Sequence, residues 1–239
     1  MKRLGVNIDH VATVRNARGS SHPDPASIAK YVMECGAHSI TIHLREDRRH
    51  IRDLDVVKIC KNKRIITNLE ISLNDNILKI ALKNKPNFIC IVPENRKEIT
   101  TEGGLNLSKN FNKIQEIIKK FKIKKIRTSL FIDPNLKDIK IAKELDADCV
   151  ELHTGKISDL IKKKKNHRYE YMKIMKCCEA AKIIGLEVHA GHGLDYKTTS
   201  ILSKLKLIKE FNIGHFIIGE SIVHGLKNTI KRFKEISNK

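Results

Sequence analysis

Eight short β-rich runs, each followed by a longer stretch of helical pattern, constrain this chain more than any other feature. They are LGVNID from Leu4, SITIHL from Ser39, IITNLEI from Ile65, FICIVP from Phe88, RTSLFID from Arg127, CVELHTG from Cys149, EVHAG from Glu187 and EFNIG from Glu210. Their starts lie 22 to 39 residues apart, room for a helix and two loops in each interval. In DPASIAKYVMECG, Asp24 is the expected N-cap, Pro25 the first helical residue and Gly36 the stop. DPNLKDIKIAKEL repeats the Asp-Pro opening at Asp133 and Pro134, with apolar residues at 136, 139, 142 and 145.

Strand–helix alternation demands parallel strands joined by crossover helices. Eight such units in 239 residues predict one α/β domain spanning residues 1–239, closed as a (β/α)₈ TIM barrel. An open doubly wound sheet is the alternative; it favours a glycine-rich first turn, which DHVATVRNARG does not supply. HFIIG at 215–219 competes with EFNIG for the last strand. EFNIG is preferred, with HFIIGESIVHG opening the final helical region.

Alternate residues of a strand look to opposite faces. In SITIHLR, Ile40, Ile42 and Leu44 oppose Thr41, His43 and Arg45; in CVELHT, Val150 and Leu152 oppose Cys149, Glu151 and His153. Barrel strands send the apolar set to the helices and the polar set inward, and the C-terminal mouth is where barrel active sites lie. A buried polar layer is costly if unpaired, so stability alone does not explain it. The resulting inventory is Asn7, Asp9, His10, His43, Arg45, His50, Glu70, Glu151, His153, His189 and His192. Histidines with a glutamate suit repeated proton transfer near neutral pH, and arginines suit phosphate or carboxylate. A single strand histidine is more often structural, and Arg48, Arg49 and Arg52 have Glu46 and Asp47 as ready partners. The glycine-bearing segments HAGHGL (189–194) and NIGHF (212–216) follow the last two strands, where barrels often hold phosphate on backbone N–H groups. No lysine sits at a strand tip, which disfavours an enzyme Schiff base. His43, His153, His189 and His192 with the carboxylates also form a conceivable zinc or manganese set, but the arginines and glycines point to phosphorylated substrates.

The net charge of +20 raises the question of nucleic acid. Only 12 of 47 basic residues are Arg, aromatics are sparse, and lysines fall on helix faces, so a solvated basic surface without a specific nucleic-acid partner is expected. The six cysteines form no CxxC pair and read as reduced small hydrophobes. Neither an apolar run of membrane-spanning length nor a signal-peptide core follows MKRLGVNIDH, so a cytosolic protein is expected.

GVNIDHVATVRNARG, TIHLREDRRHI, NLE, VPENRKEITTEGGL, SLFID, ELHTG, AGHGL and NIGH together, in order, resemble the pyridoxine 5′-phosphate synthase family. The resemblance implies a (β/α)₈ barrel with extra helices, assembled as a homo-octamer and using no cofactor and no metal. It implies condensation of 3-amino-2-oxopropyl phosphate with 1-deoxy-D-xylulose 5-phosphate. By resemblance His43 and Glu70 are general bases, His192 is the general acid and Glu151 supports the transition state. Asn7, Gly193, Gly214 and His215 would hold the amino-ketone phosphate. Asp9, His10, Arg45, His50 and Thr100 would hold the deoxyxylulose phosphate. Arg18 would reach a substrate phosphate, in this family from a neighbouring subunit, and VPENRKEITTEGGL would act as a lid. Two positions depart from the family pattern. His189 replaces an asparagine, and Glu220, often arginine, is expected to point away from phosphate. A metal-dependent barrel hydrolase or isomerase is the competing reading, and an RNA-associated basic protein the third.

Overall fold

The computed structural model describes residues 1–94 and 103–238. All eight predicted runs are strands: β1 Arg3–Asn7, β2 Ser39–His43, β3 Thr67–Ile71, β4 Phe88–Ile91, β5 Arg127–Ile132, β6 Cys149–His153, β7 Glu187–Gly191 and β8 Ile208–Ile213. Each pairs in parallel with the next, and β8 returns onto β1, closing the ring. β3 starts at Thr67 rather than Ile65, and β8 at Ile208 rather than Glu210. EFNIG is thus in the last strand, and the following segment is helical as expected.

Among the described residues the helices are α1 Asp9–Arg18, α2 Pro25–Glu34, α3 Asp53–Lys61, α4 Asp75–Asn84, α5 Phe111–Ile123, α6 Leu136–Glu144, α7 Gly155–Lys162, α8 Arg168–Ile183, α9 Tyr196–Leu202, α10 His215–His224 and α11 Leu226–Ser237. The extra helices fall after β1, β6 and β8. Asp24 caps α2, accepting the Ser27 N–H at 3.0 Å, with Pro25 next and Gly36 at φ 95° beyond the end. The second Asp-Pro opening behaves otherwise. Asn135 caps α6, accepting from Lys137 N–H at 2.9 Å, and Asp133 turns to the barrel mouth instead. No helix is long and apolar enough to cross a membrane among the described residues.

The alternation sorts the two faces as predicted. Leu4, Val6, Ile8, Ile40, Ile42, Leu44, Leu69, Val150 and Leu152 are fully buried against the helices. Each contributes about 1.5–3 kcal/mol through burial. The inward set is mostly polar, apart from a small apolar cluster of Cys90, Val92 and Phe131. At the floor, Arg3 joins Glu210 (2.6 Å) and Glu187, and Glu187 also takes Arg127 (3.1 Å) and His189 (2.8 Å). One level up, Asn68 donates to Thr41 (3.3 Å), Thr41 to Asn212 (3.5 Å) and Asn212 to Glu151 (2.7 Å). This file of hydrogen bonds crosses the barrel and ends on a carboxylate below the mouth.

Candidate active site

The opening between strands and helices is built from strand ends. β1 runs straight into α1, so Asn7 and Asp9 are fixed by two backbone directions at once. Asn7 donates its side-chain amide to Asp9 (2.9 Å) and accepts the Asp9 N–H (2.9 Å). The other Asp9 oxygen accepts the His43 N–H at 2.9 Å, tying β1 to the tip of β2. Asp9 Oδ1 also lies 3.9 Å from His50 Nδ1.

The loop HLREDRRH is held from below by α1. Arg15, buried, makes a forked ion pair with Asp55 (2.6 and 2.9 Å) and donates to the His50 carbonyl at 3.1 Å. Asn16 donates to the same carbonyl at 2.8 Å. Arg48 pairs with Asp53 and Arg49 with Asp47, both at 2.6 Å on the outer side, as surface arginines do. Arg45 is buried, its Nε 3.6 Å from Glu94 Oε1.

His43 stands between two carboxyl groups, Nδ1 3.7 Å from Glu70 Oε2 and Nε2 3.7 Å from Glu94 Oε2. Burial, then the nearby charges of Glu151 and Asp9, push the Glu70 carboxyl well above its ordinary range. Burial likewise raises Glu151 to about 7, against the pull of His189 and the Asn212 hydrogen bond. Against the push of burial, the His43 ring, the Glu46 N–H (2.8 Å) and Arg45 hold Glu94 below its ordinary value. Neighbouring carboxyl groups whose titrations are pushed apart are the usual basis of acid–base division of labour.

On the far side, His192 lies in the left-handed region at φ 74°, followed by Gly193 at φ 75°. Such a backbone costs about 1–3 kcal/mol at a residue other than glycine and is concentrated at functional sites. The His153 ring packs 4.8 Å from the His192 ring, and His153 Nδ1 lies 3.1 Å from Asp133 Oδ1. Burial, with His153 and Lys162 adding charge, lowers His192 to about 4. His10 and His215 meet edge to face at 4.9 Å where α1 adjoins α10. Gly214 opens α10 with no side-chain cap, and a Cβ there would meet Asn7 Cβ at 2.9 Å. Gly191 admits Glu151: a Cβ would sit 1.9 Å from its Oε1.

Most of the predicted residues fall into three local groups at the strand ends. Asn7, Asp9, His43, Arg45, His50 and Glu70 form one group, His10, Gly214 and His215 a second, His192 and Gly193 a third, with Glu151 beneath. Arg18 does not join them; it is exposed at the end of α1. Thr100 and most of the VPENRKEITTEGGL segment lie outside the described residues. His189, inventoried with the mouth, belongs to the floor, where it meets Glu187 and lies 3.2 Å from Arg3. Glu220 faces His224 at 3.8 Å, one turn further from the α10 N-terminus. The inventory omitted Glu94 and Asp133. Both lie just past a strand end at C-terminal positions, which was the available signal, but one was absorbed into a lid and the other into a helix cap.

Asp9, His43 and Glu70 also bring three potential metal-ligand atoms within 4.8 Å of one another. Both Asp9 oxygens are already engaged by Asn7 and His43.

The family model described as "Pyridoxal phosphate biosynthesis protein PdxJ" matches residues 4–239. The chain is 77% identical over 239 residues to the pyridoxine 5′-phosphate synthase of Pelagibacter ubique (strain HTCC1062), covering all of both chains. It is 46% identical over 232 residues to the enzyme of that name from Zymomonas mobilis, covering 97% of this chain and 90% of the other. Among solved structures, a protein of Aquifex aeolicus VF5 superposes with TM-score 0.66 at 14% identity, covering 98% of this chain and 92% of that one, a likeness of fold. Barrel, mouth and full-length identity agree, and the chain belongs to the PdxJ family of pyridoxal phosphate biosynthesis proteins.

Proposed function

We propose that the protein is a pyridoxine 5′-phosphate synthase, condensing 3-amino-2-oxopropyl phosphate with 1-deoxy-D-xylulose 5-phosphate to pyridoxine 5′-phosphate, phosphate and water. The observation that carries this is His43 and Glu70 facing one another beside Arg45 and His50, in a chain 77% identical to an enzyme of that name. His43 and Glu70 take protons from the condensing substrates, His192 gives one to a leaving group, and the Glu151 carboxyl supports the charge that develops between them. The substrate's own amine forms the imine, so no lysine is called for. Asn7, Gly193, Gly214 and His215 hold the amino-ketone phosphate; Asp9, His10, Arg45, His50 and Thr100 hold the deoxyxylulose phosphate. Uncapped N–H groups at the start of α10 favour an anion there.

The test is direct. Purified protein treated with a chelator and given both substrates should yield pyridoxine 5′-phosphate, identified by mass. Turnover lost to the chelator and restored by zinc would instead favour a metal-dependent enzyme using Asp9, His43 and Glu70. Arg45→Lys should raise KM for the deoxyxylulose phosphate about tenfold with kcat little changed, because a forked contact becomes a point charge.

His192 must gain a proton before it can give one. In the free protein its ring should titrate near pH 4, so it is neutral at pH 7. An arriving phosphate dianion stabilises the imidazolium, so inorganic phosphate should move that titration upward. Ring ¹⁵N shifts followed against pH, with and without phosphate, measure both.

The protein works in the cytosol, a reading supported by six free cysteines. It assembles as a homo-oligomer, expected to be an octamer, in which Arg18 serves a neighbouring mouth. Exposed Ile222 and Val223 on α10 (83% and 76%) support burial against another copy. Light scattering on the eluting protein gives the mass of the assembly.

A further inference from the structure

Three buried polar atoms with no hydrogen-bond partner among the described residues belong to one small cluster: His43 Nε2, Arg45 Nε and Glu94 Oε2. Leaving such an atom unpaired is costly, because its water is lost and nothing replaces it. Here donor and acceptor already face each other. His43 Nε2 is 3.7 Å from Glu94 Oε2, and Arg45 Nε is 3.6 Å from Glu94 Oε1. Both distances are beyond a hydrogen bond by less than 1 Å. The carboxylate itself is anchored, since Glu94 Oε1 accepts the Glu46 N–H at 2.8 Å and its side chain is only 2% exposed. Catalytic hydrogen bonds are often long in an unliganded enzyme and tighten when the substrate arrives.

We propose that Glu94 is a positioning residue for the reaction: with substrate in the mouth its carboxylate accepts Nε2–H of His43 and Nε–H of Arg45, leaving His43 Nδ1 as the nitrogen that carries protons. This rests on the synthase reading above. The groups around the His43 ring fit the assignment. Glu70 lies on the Nδ1 side and Glu94 on the Nε2 side. Asp9 is committed to the His43 backbone N–H, and the His50 ring centre is 6.1 Å away. Burial pushes the Glu70 carboxyl upward while the His43 ring, the Glu46 N–H and Arg45 hold Glu94 low, so the more readily ionised carboxylate lies on the Nε2 side. In a dehydration, the proton leaving the substrate carbon goes to Nδ1. Glu94 balances the imidazolium charge. The same proton then passes to the departing hydroxyl, which leaves as water as the carbon–carbon double bond forms. A carboxylate that fixes one ring nitrogen to free the other is a general device of histidine catalysis. The added link to Arg45 ties the proton-moving ring to a phosphate-binding side chain, so binding and alignment become one event.

The test uses Glu94→Gln and Glu94→Leu. Gln keeps an acceptor oxygen and nearly the same shape; Leu removes both acceptors. Ring ¹⁵N spectra of His43 are recorded in the free protein and with 1-deoxy-D-xylulose 5-phosphate alone, which cannot turn over. The wild type should hold its proton on Nε2, more completely with the sugar phosphate bound, and Glu94→Leu should shift it towards Nδ1. In Glu94→Leu kcat should fall about 10- to 100-fold, as misalignment near 1 Å does. Glu94→Gln should lose less, and KM for the sugar phosphate should rise in both. A His43 tautomer that ignores Glu94 overturns the proposal, as does normal kcat in either folded variant, even with a lowered melting temperature. Should the wild type make no pyridoxine 5′-phosphate, the synthase reading fails, while the ring spectra still decide whether Glu94 sets the His43 tautomer.

Discussion

His192→Asn is expected to lower kcat by about 10²–10⁴-fold, the usual worth of a well-placed general acid, and to leave circular dichroism and melting temperature near those of the parent. The fold should tolerate it because the residue touches little that supports the barrel. Its ring lies by the His153 ring at 4.8 Å and beside Gly155, and its carbonyl, which the substitution keeps, accepts the Thr154 hydroxyl at 2.7 Å. Asparagine is also among the residues that accept the left-handed backbone His192 adopts at φ 74°. Binding of either phosphorylated substrate should survive, since Gly193 and the α10 N-terminus offer backbone groups. Near-normal turnover in the variant would remove His192 from the acid role and turn attention to His153, which Asp133 orients from the end of β5.

Arg15→Met carries the largest expected effect on stability. The substitution leaves the Asp55 carboxylate buried beneath the substrate loop without its forked partner, and removes a donor from the His50 carbonyl. Breaking a buried pair from one side costs about 3–5 kcal/mol. For a chain of this size that is roughly 6–20 °C in melting temperature. The double variant Arg15→Met, Asp55→Leu should recover part of the loss, because no charge is then stranded. Calorimetry on the three proteins measures the coupling. KM for the deoxyxylulose phosphate should rise in the single variant, as His50 rides on the loop Arg15 supports. If the single variant melted within a degree of the parent, the ion pair would be a bystander.

The barrel was legible because its signal is periodic and repeated. One misjudged strand, such as the start of β3, is outvoted by the others, and closure follows from counting parallel units. The mouth was legible for residues that alternate inward at strand tips, such as His43 and Glu70. His189 obeys the same alternation and was still misassigned, because facing inward does not say at which level a side chain sits. Level depends on strand stagger, which is a property of the closed ring. Glu94 and Asp133 were missed because local grammar offered each a sufficient role elsewhere. Asp-Pro is a good helix opening, yet here Asn135 supplies the cap and frees Asp133 for His153.

The seam where β1 meets β8 has a consequence for how the molecule is made. Val6 lies against Ile213, so the first strand synthesised waits for nearly the last. At about 5–20 residues per second the wait is roughly 10–40 s, with one flank of β1 unpaired. Bare strand flanks invite neighbouring nascent chains, and a charge on such a flank discourages them. Arg3 is that charge. In the finished ring Glu187 and Glu210 pair with it, so a charge suited to guarding the open flank of β1 also fastens the floor of the closed barrel.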